Sequence, residues 1–447
     1  MTVTIPSRSA PAVTIVMVTY GHWEVVAATL DALVANTEPV YELVVVDNAS
    51  TDETGSRLQE AVRGAHQIHN RTNVGFGAAS NQGALLSRSP LLCFLNSDTL
   101  VEPGWLPPLL ATMHHDPTCA AVVPCKLNRD GSLQEAASLV AGDGSICMYG
   151  LGADPTAAEY RFARRVDYGG AACLLVRRAM FTAVGGFAAR YGIGYYEDVD
   201  LCFSMRRRGW HTTYQPSSVV RHLGGASSSR QAAVELAERN RLVFRARWAP
   251  WLRSRPTFGE AASDPALFTR LRDHGSWPRV LVSGARDPGG IADLALAIAR
   301  HWPRARVTLV DASETGDAVL GQAGVEVVDP RQAPRVLSDR RDHYSVVIAA
   351  PSLDPGEWRM LDETQPRARL AWFGPGGPLL PGPNPPTSRA DVALALAPVI
   401  HPRRSTVPVV PLGCPIDVER LEEALSYVGV APAFPDVDRR SFDRTGS

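Results

Sequence analysis

Three β-branched apolar runs follow one another early in the chain, and each closes on polar side chains. They are AVTIVMVTY (Ala12–Tyr20), YELVVVDNAS (Tyr41–Ser50) and PLLCFLNSD (Pro90–Asp98). A run that is apolar at nearly every position suits a strand covered on both faces, the condition of a parallel sheet. Helical patterns separate the runs: one over about 22–35 with Val25, Val26, Leu30, Leu33 and Val34 on a face, one to about Arg63, and one opening at the glycine loop of NVGFGAASNQGALLSRS. This alternation predicts parallel pairing with right-handed crossovers. The C-terminal strand ends then share one edge, where ligands of such sheets gather. Thr19, Tyr20, Asp47, Asn48, Asn96, Ser97 and Asp98 are thereby predicted to line a single crevice. Each has a local explanation when taken alone, a turn cap for Asp47 and an Asx-turn for Asn96–Asp98. Three polar ends in one sheet point instead to a ligand.

The chain is less regular from Asp167 to about Trp251. A strand GAACLLVRR, a helix, the segment GYYEDVDLCFSMRRRGW, a strand HTTYQPSSVVRH and a long helix over about 231–248 follow in order, the helix ending near Pro250. After the break PWLRSRPTFGEAASDPA a second alternation begins, with strands predicted at 279–285, 306–312, 325–329, 344–350 and 368–374. It reads as a smaller Rossmann-like α/β domain, although no strict G-x-G-x-x-G follows its first strand; SGARDPGG is explained as well by turn geometry. FGPGGPLLPGPNPP (Phe373–Pro386) is a Pro/Gly loop. The chain divides into 1–255, a linker over 256–276, and 277–447. Strand ends of the second half carry few charged groups, so it is not expected to hold a second active site. A degenerate nucleotide-binding half, an acceptor-recognition module and a homodimerisation domain all remain open for it.

A formal net charge of −1 over 447 residues gives no electrostatic case for nucleic acid. No run of about 18 apolar residues is present, and MTVTIPSRSAP lacks the plan of a secretory signal. Seven cysteines with no CxxC pair read as reduced thiols, so the expected compartment is the cytoplasm, without a membrane span.

Seven segments in order, VTIVMVTYGHWEVVAATLDAL, ELVVVDNASTDET, NVGFGAASNQG, FLNSDTLVEPGWL, GGAACLLVRRAMFTAVGGFAARY, EDVDLCFSMRRRGW and VVRHLGGASS, give residues 12–250 a resemblance to the family 2 glycosyltransferases. The flavour is that of the rhamnosyltransferase-like branch, which acts on cell-wall or natural-product acceptors. The resemblance implies a GT-A type α/β domain, a mostly parallel twisted sheet with helices on both faces. It implies inverting transfer from a dTDP- or UDP-sugar, dTDP-rhamnose among them, to a small-molecule, glycan or lipid-linked acceptor. Asp47 then matches the carboxylate that pairs with a uracil- or thymine-type ring, and Thr19 and Tyr20 pack base and ribose. Asn73, Gly75 and Asn81 match the loop and helix around the nucleotide, although Gly75 has a competing explanation in a positive φ alone. The metal motif, usually Asp-x-Asp, is here Asn96-Ser97-Asp98. Asp98 with His222 would hold Mn²⁺ or Mg²⁺ on the diphosphate, Mn²⁺ tolerating imidazole better.

The acids of GYYEDVDLC divide by role. A hydroxyl nucleophile needs a carboxylate to take its proton, and Asp198 matches the position of that base in the family. Glu197 would contact the acceptor or hold the loop. Asp200 lies in the first turn of a helix whose apolar stripe is Val199, Cys202, Phe203 and Met205, and it suits the helix dipole, with Arg206–Arg208 and Gly209 at the other end. Gly169 and Gly170 let backbone approach the donor sugar or serve tight packing. Arg239 and Asn240 read as an exposed helix face. Two other readings stand beside transfer: a nucleotidyltransferase, whose Gly-rich basic loop MVTYGHWEVV lacks, and a non-catalytic nucleotide-sugar scaffold.

Overall fold

The computed structural model describes residues 2–5, 10–38, 41–224, 230–274 and most of 276–371. The turn 285–290 and the Pro/Gly loop 373–386 lie outside the described residues, as does Cys414. Two compact units divide the chain, one of residues 1–160 and 164–258, the other of 161–163 and 259–447.

The first unit alternates as expected. β1 (Val13–Thr19), α1 (Trp23–Asn36), β2 (Tyr41–Asp47), α2 (Thr54–Ala61), β3 (His66–His69), α3 (Phe76–Leu85), β4 (Leu91–Asn96), β5 (Thr99–Val101), α4 (Leu106–His115) and β6 (Cys119–Leu127) come first. Then follow β7 (Leu133–Glu135), β8 (Arg164–Val166), β9 (Cys173–Arg177), α5 (Glu197–Arg207), β10 (His211–His222) and α6 (Arg230–Leu252). One sheet runs β8-β10-β6-β9-β4-β1-β2-β3, with β5 added on β10 and β7 on β6. β4, β1, β2 and β3 are mutually parallel, and β10 is parallel to β6. β9 is antiparallel to both β4 and β6, and it joins the two parallel halves.

Both faces of this sheet are covered, which is why β1 and β2 need no polar alternation. Ile15, Met17, Leu43 and Val45 pack with Leu30 and Leu33 of α1 and Leu109 of α4. Val44 and Val46 face the other way, against Ala79 of α3. There Gly83 lets α3 sit on the sheet, because a Cβ at that position would come within 2.4 Å of Val16 Cγ1. α5 ends where the sequence stops it, with Gly209 at φ 83°. α6 ends near Pro250 as expected, with the proline in its last turn and Leu252 as its final residue.

In the second unit all five predicted strands form, as β11 (Arg279–Ser283), β12 (Arg306–Val310), β13 (Val325–Val328), β14 (Val346–Ala349) and β15 (Ala368–Ala371). They make one wholly parallel sheet in the order β13-β12-β11-β14-β15, the doubly wound order of a Rossmann-type half. The helix Ile291–His301 covers one face through Leu294, Ala295 and Ile298.

The segment 256–276 corrects the linker expectation. It carries helices Phe258–Ser263 and Pro265–Arg272, and its end is built into the second unit's interior. Arg272 and Asp273 are buried with Arg306, Glu326 and Arg340. Asp273 accepts from Arg272 at 2.8 Å and Arg306 at 2.9 Å, while Glu326 accepts from Arg340 at 2.7 Å and Thr308 at 3.1 Å. Burial alone would raise both carboxyls, but the arginines hold them well below the ordinary range. Stability from such groups is complete above the unfolded carboxyl value and is lost as pH falls through the folded one. Glu326→Ala leaves two buried guanidiniums short of their acceptor, and should cost about 3–5 kcal/mol in chemical denaturation.

Candidate active site

β1, β2, β4 and β10 end at one edge of the first sheet, on Thr19, Asp47, Asn96 and His222. β9 runs against them, so its beginning lies at that edge. Cys173 stands opposite Leu95, and the Asn96 N–H donates to the Ala172 carbonyl at 3.0 Å. One residue earlier, the Ala171 N–H donates to Asp198 Oδ2 at 3.1 Å. Asp198 Oδ1 accepts from the Val199 N–H at 2.8 Å. One hydrogen bond between backbones and one from a backbone N–H to the Asp198 carboxylate thus tie the end of β4 to the first turn of α5. The expected convergence of Asn96, Gly170 and Asp198 is therefore a matter of strand register.

The turn that delivers Asp198 is strained. Tyr195 and Tyr196 have φ of 68° and 74°, a left-handed conformation that costs a non-glycine residue about 1–2 kcal/mol. Asn240 of α6 holds it, its amide donating to the carbonyls of Tyr191 and Gly194, both at 2.8 Å, and of Tyr195 at 3.0 Å. Asn240 is fully buried, which corrects the exposed-face reading; Arg239 beside it is exposed. Gly75 closes the turn from the other side. It has φ 87°, and a Cβ there would lie 2.3 Å from the Gly192 carbonyl, so conformation and close approach both require glycine.

The three acids are unlike one another. Asp198 is half-buried, and burial raises its carboxyl above the ordinary value, opposed by its two backbone donors. Glu197 is turned inward against Gly77 of α3, with Oε2 buried and unpartnered. Burial first, and the Asp198 charge second, push Glu197 up to about 8, so it is neutral near pH 7. Asp200 is more than a helix starter. Its Oδ1 accepts from the Tyr191 hydroxyl at 2.9 Å and Trp248 Nε1 at 2.7 Å, with Arg247 Nε at 3.2 Å.

At the ends of β1 and β2, Thr19 is buried with an unpartnered Oγ1, and Tyr20 is exposed. Asp47 accepts from the Ser50 N–H at 3.0 Å and its hydroxyl at 2.5 Å, and stands 3.4 Å from His69 Nδ1. Asn48, between them in sequence, is a hub of amides: it donates to Asn73 at 2.8 Å and accepts from Asn70 at 3.0 Å and the Val74 N–H at 3.1 Å. Asn81 spends both amide atoms on Phe187, donating to its carbonyl at 2.9 Å and accepting from its N–H at 3.0 Å.

β5 pairs with the end of β10, Thr99 opposite His222, and so sets Asp98 beside His222. Asp98 Oδ1 lies 3.2 Å from His222 Nε2, while Ser97 offers its carbonyl to Thr29 at 2.8 Å. Gln134 sets the histidine's tautomer. Its Nε2 donates to the carbonyl of His222 and to Asn128 Oδ1, both at 3.2 Å, so its Oε1 is the atom facing His222 Nδ1 at 2.8 Å. Nδ1 therefore carries a hydrogen, and Nε2 is the ring nitrogen that faces the Asp98 carboxylate. A carboxylate oxygen and an imidazole nitrogen side by side form a donor pair that suits Mn²⁺. Among the described residues no group of three or more His, Cys, Asp or Glu gathers around a metal position.

Asn48 belongs to the strand ends predicted from the sequence, whereas Gln134 and Asn240 were not singled out as site residues. Gln134 sits on a three-residue strand without a pattern, and Asn240 on a helix whose charged neighbours suggest solvent.

The Glycosyl transferase family 2 model matches residues 14–150. Over 253 residues the chain is 30% identical to the N-acetylglucosaminyl-diphospho-decaprenol L-rhamnosyltransferase of Mycobacterium tuberculosis, covering 52% of this chain and 82% of that one. It is 27% identical over 247 residues to an uncharacterised protein, y4gI, of Sinorhizobium fredii, covering 53% of this chain but only 27% of that one. Among solved structures, a mannosyltransferase of Pyrobaculum calidifontis in complex with GDP-Man and Mn²⁺ matches 59% of this chain and 69% of its own at 18% identity and a TM-score of 0.39.

A raised carboxyl contributes stability below its unfolded value that is lost as pH rises through the folded one. For Glu197 that window runs from about 4.3 up to about 8. Glu197→Gln should flatten the fall in stability across this window and raise the melting temperature at neutral pH, as measured by calorimetry.

Proposed function

The chain belongs to the family 2 glycosyltransferases, and from that premise we propose that it moves a sugar from a dTDP- or UDP-linked donor to an acceptor hydroxyl with inversion. One observation carries this reading: the register of β9 against β4 ties the Asn96–Asp98 strand end and the Asp198 carboxylate to a single edge of the sheet. Membership of the family leaves no ground for the nucleotidyltransferase reading.

In this reading Asp198 takes the proton of the attacking hydroxyl. Its two backbone donors fix the carboxylate, and partial burial makes it a stronger base than a surface aspartate. Asp47 and Thr19 receive the nucleotide base, with Tyr20, Asn96 and Ser97 along the ribose and diphosphate. Asn73 and Gly75 shape the loop that borders them. Asn81, committed to Phe187, supports that wall from behind, and Gly170 lets the donor sugar come close to backbone. Glu197, inward and neutral, keeps the turn beneath the acceptor in place. Asp98 and His222 would hold a divalent cation, which when bound neutralises charge on the departing diphosphate. dTDP-rhamnose is the donor of first choice, given the likeness to a rhamnosyltransferase. The acceptor is a small-molecule, glycan or lipid-linked hydroxyl. No helix among the described residues is long and apolar enough to cross a membrane.

Release of nucleoside diphosphate from dTDP-rhamnose, UDP-glucose and UDP-N-acetylglucosamine with Mn²⁺ tests the activity directly. Asp198→Asn should lower turnover by about 10²–10⁴-fold while donor affinity by calorimetry stays within a few-fold; near wild-type turnover would sink the assignment. Asp98→Ala should abolish the Mn²⁺-dependent tightening of dTDP binding seen in the same calorimeter. Activity that survives both this change and a chelator removes the metal from the reading.

A further inference from the structure

Beneath Asp198 lies an ion pair that the reaction as described leaves unused. Lys126 of β6 and Glu135 of β7 are only 2% and 4% exposed, and Lys126 Nζ is paired with Glu135 Oε2. Burying two charges this deeply is a poor source of stability, so the pair invites a chemical explanation. Lys126 Nζ donates to the Gly170 carbonyl at 3.0 Å. The N–H of that same peptide unit, on Ala171, is the one that donates to Asp198 Oδ2 at 3.1 Å. A single peptide thus has an ammonium on its oxygen and a carboxylate on its hydrogen. Each charge strengthens the dipole that the other uses. Glu135 steadies the arrangement, accepting from the Ser138 hydroxyl at 2.7 Å and the Gly170 N–H at 3.3 Å. Gly170 is confined here too, since a Cβ would stand 3.0 Å from Lys126 Nζ and 3.6 Å from Asp198 Oδ2.

We propose that Lys126 is a positioning residue for the transfer reaction, orienting and keeping ionised the Asp198 carboxylate through the Gly170–Ala171 peptide, with Glu135 as its counter-charge. This inference rests on the reading of Asp198 as the proton acceptor. The groups that face Asp198 are Glu197 on its own helix, Lys126 and Glu135 from β6 and β7, Tyr168 before β9, and Tyr196 and Cys202. Burial raises the carboxyl most; the two backbone donors and then the Lys126 charge lower it, and Glu135 raises it. Removing the lysine and removing the glutamate should therefore act in opposite directions, and a lysine that works through the base also moves kcat and its pH profile, which a merely structural ion pair would not do.

The Asp198 titration is followed by NMR of isotope-labelled aspartate carboxyls in the full chain, assigned by its absence in Asp198→Asn. In Lys126→Met it should move to higher pH. In Glu135→Gln, which keeps the ammonium on the Gly170 carbonyl, it should move to lower pH. The double variant Lys126→Met, Glu135→Leu buries no lone charge and covers a failure of the single variants to fold; its titration should again lie above wild type. Release of dTDP from dTDP-rhamnose with Mn²⁺ should fall about tenfold at neutral pH in Lys126→Met, about 1.4 kcal/mol on the barrier. That loss should appear in kcat with KM unchanged, and recover at alkaline pH. An Asp198 titration unmoved in Lys126→Met or in the double variant overturns the inference, as does a shift of the same sign in Glu135→Gln. Wild-type turnover in Asp198→Asn would instead end the reading of Asp198 as base, while the NMR titration still decides the relay.

Discussion

The reversed strand β9 is the constraint on which the site depends. Parallel strands bring only their C-terminal ends to one edge, and with them only the residues at which each strand stops. A strand inserted backwards brings its entry segment to that edge instead. Here that segment is Gly169–Ala172, and it reaches both the end of β4 and the first turn of α5. Gly169 makes the approach sterically possible, as a Cβ there would stand 2.6 Å from Val123 Cγ1. Were β9 parallel, Asp198 would lose the Ala171 donor, keeping only that of Val199, and Lys126 would lose its carbonyl partner.

Around this strand the first unit places a strained turn and, beside it, the side chains that hold that turn. Tyr195 and Tyr196 adopt left-handed backbone, and the surrounding helices over-determine it. Asn240 supplies the donors, and Trp248 and Arg247 of the same helix reach Asp200 in the turn that follows. Asp200 thus spends its carboxylate on Tyr191, Trp248 and Arg247, Glu197 is turned inward with an unpartnered oxygen, and Asp198 is held half-buried by two backbone donors. Three neighbouring acids acquire three states because three different surroundings meet them.

The strands and their polar ends were legible in the chain, since a doubly covered strand must be apolar throughout and must stop where the apolar residues stop. All five strands of the second unit were legible for the same reason. Less was visible where function depends on partners distant in sequence. Asn240 looks like a solvent residue between two arginines, and its burial follows only from how α6 lies over the turn. Gln134 sets the tautomer of His222 across a gap of 88 residues, with no local pattern to announce it. The span 256–276 looked like a linker because it is polar, yet its Arg272 and Asp273 find buried partners on β12 and β13.

The sequence by itself determined the two α/β units, the edge on which polar groups gather and the identity of the acids at the start of α5. Hydrophobic periodicity and turn residues act locally, so they can be read locally. Only the tertiary structure decided which acid is turned inward, which histidine nitrogen faces Asp98, and that Lys126 stands behind Asp198. Those outcomes rest on burial and on hydrogen bonds between segments tens of residues apart, and a charge's state is set by what surrounds it in space.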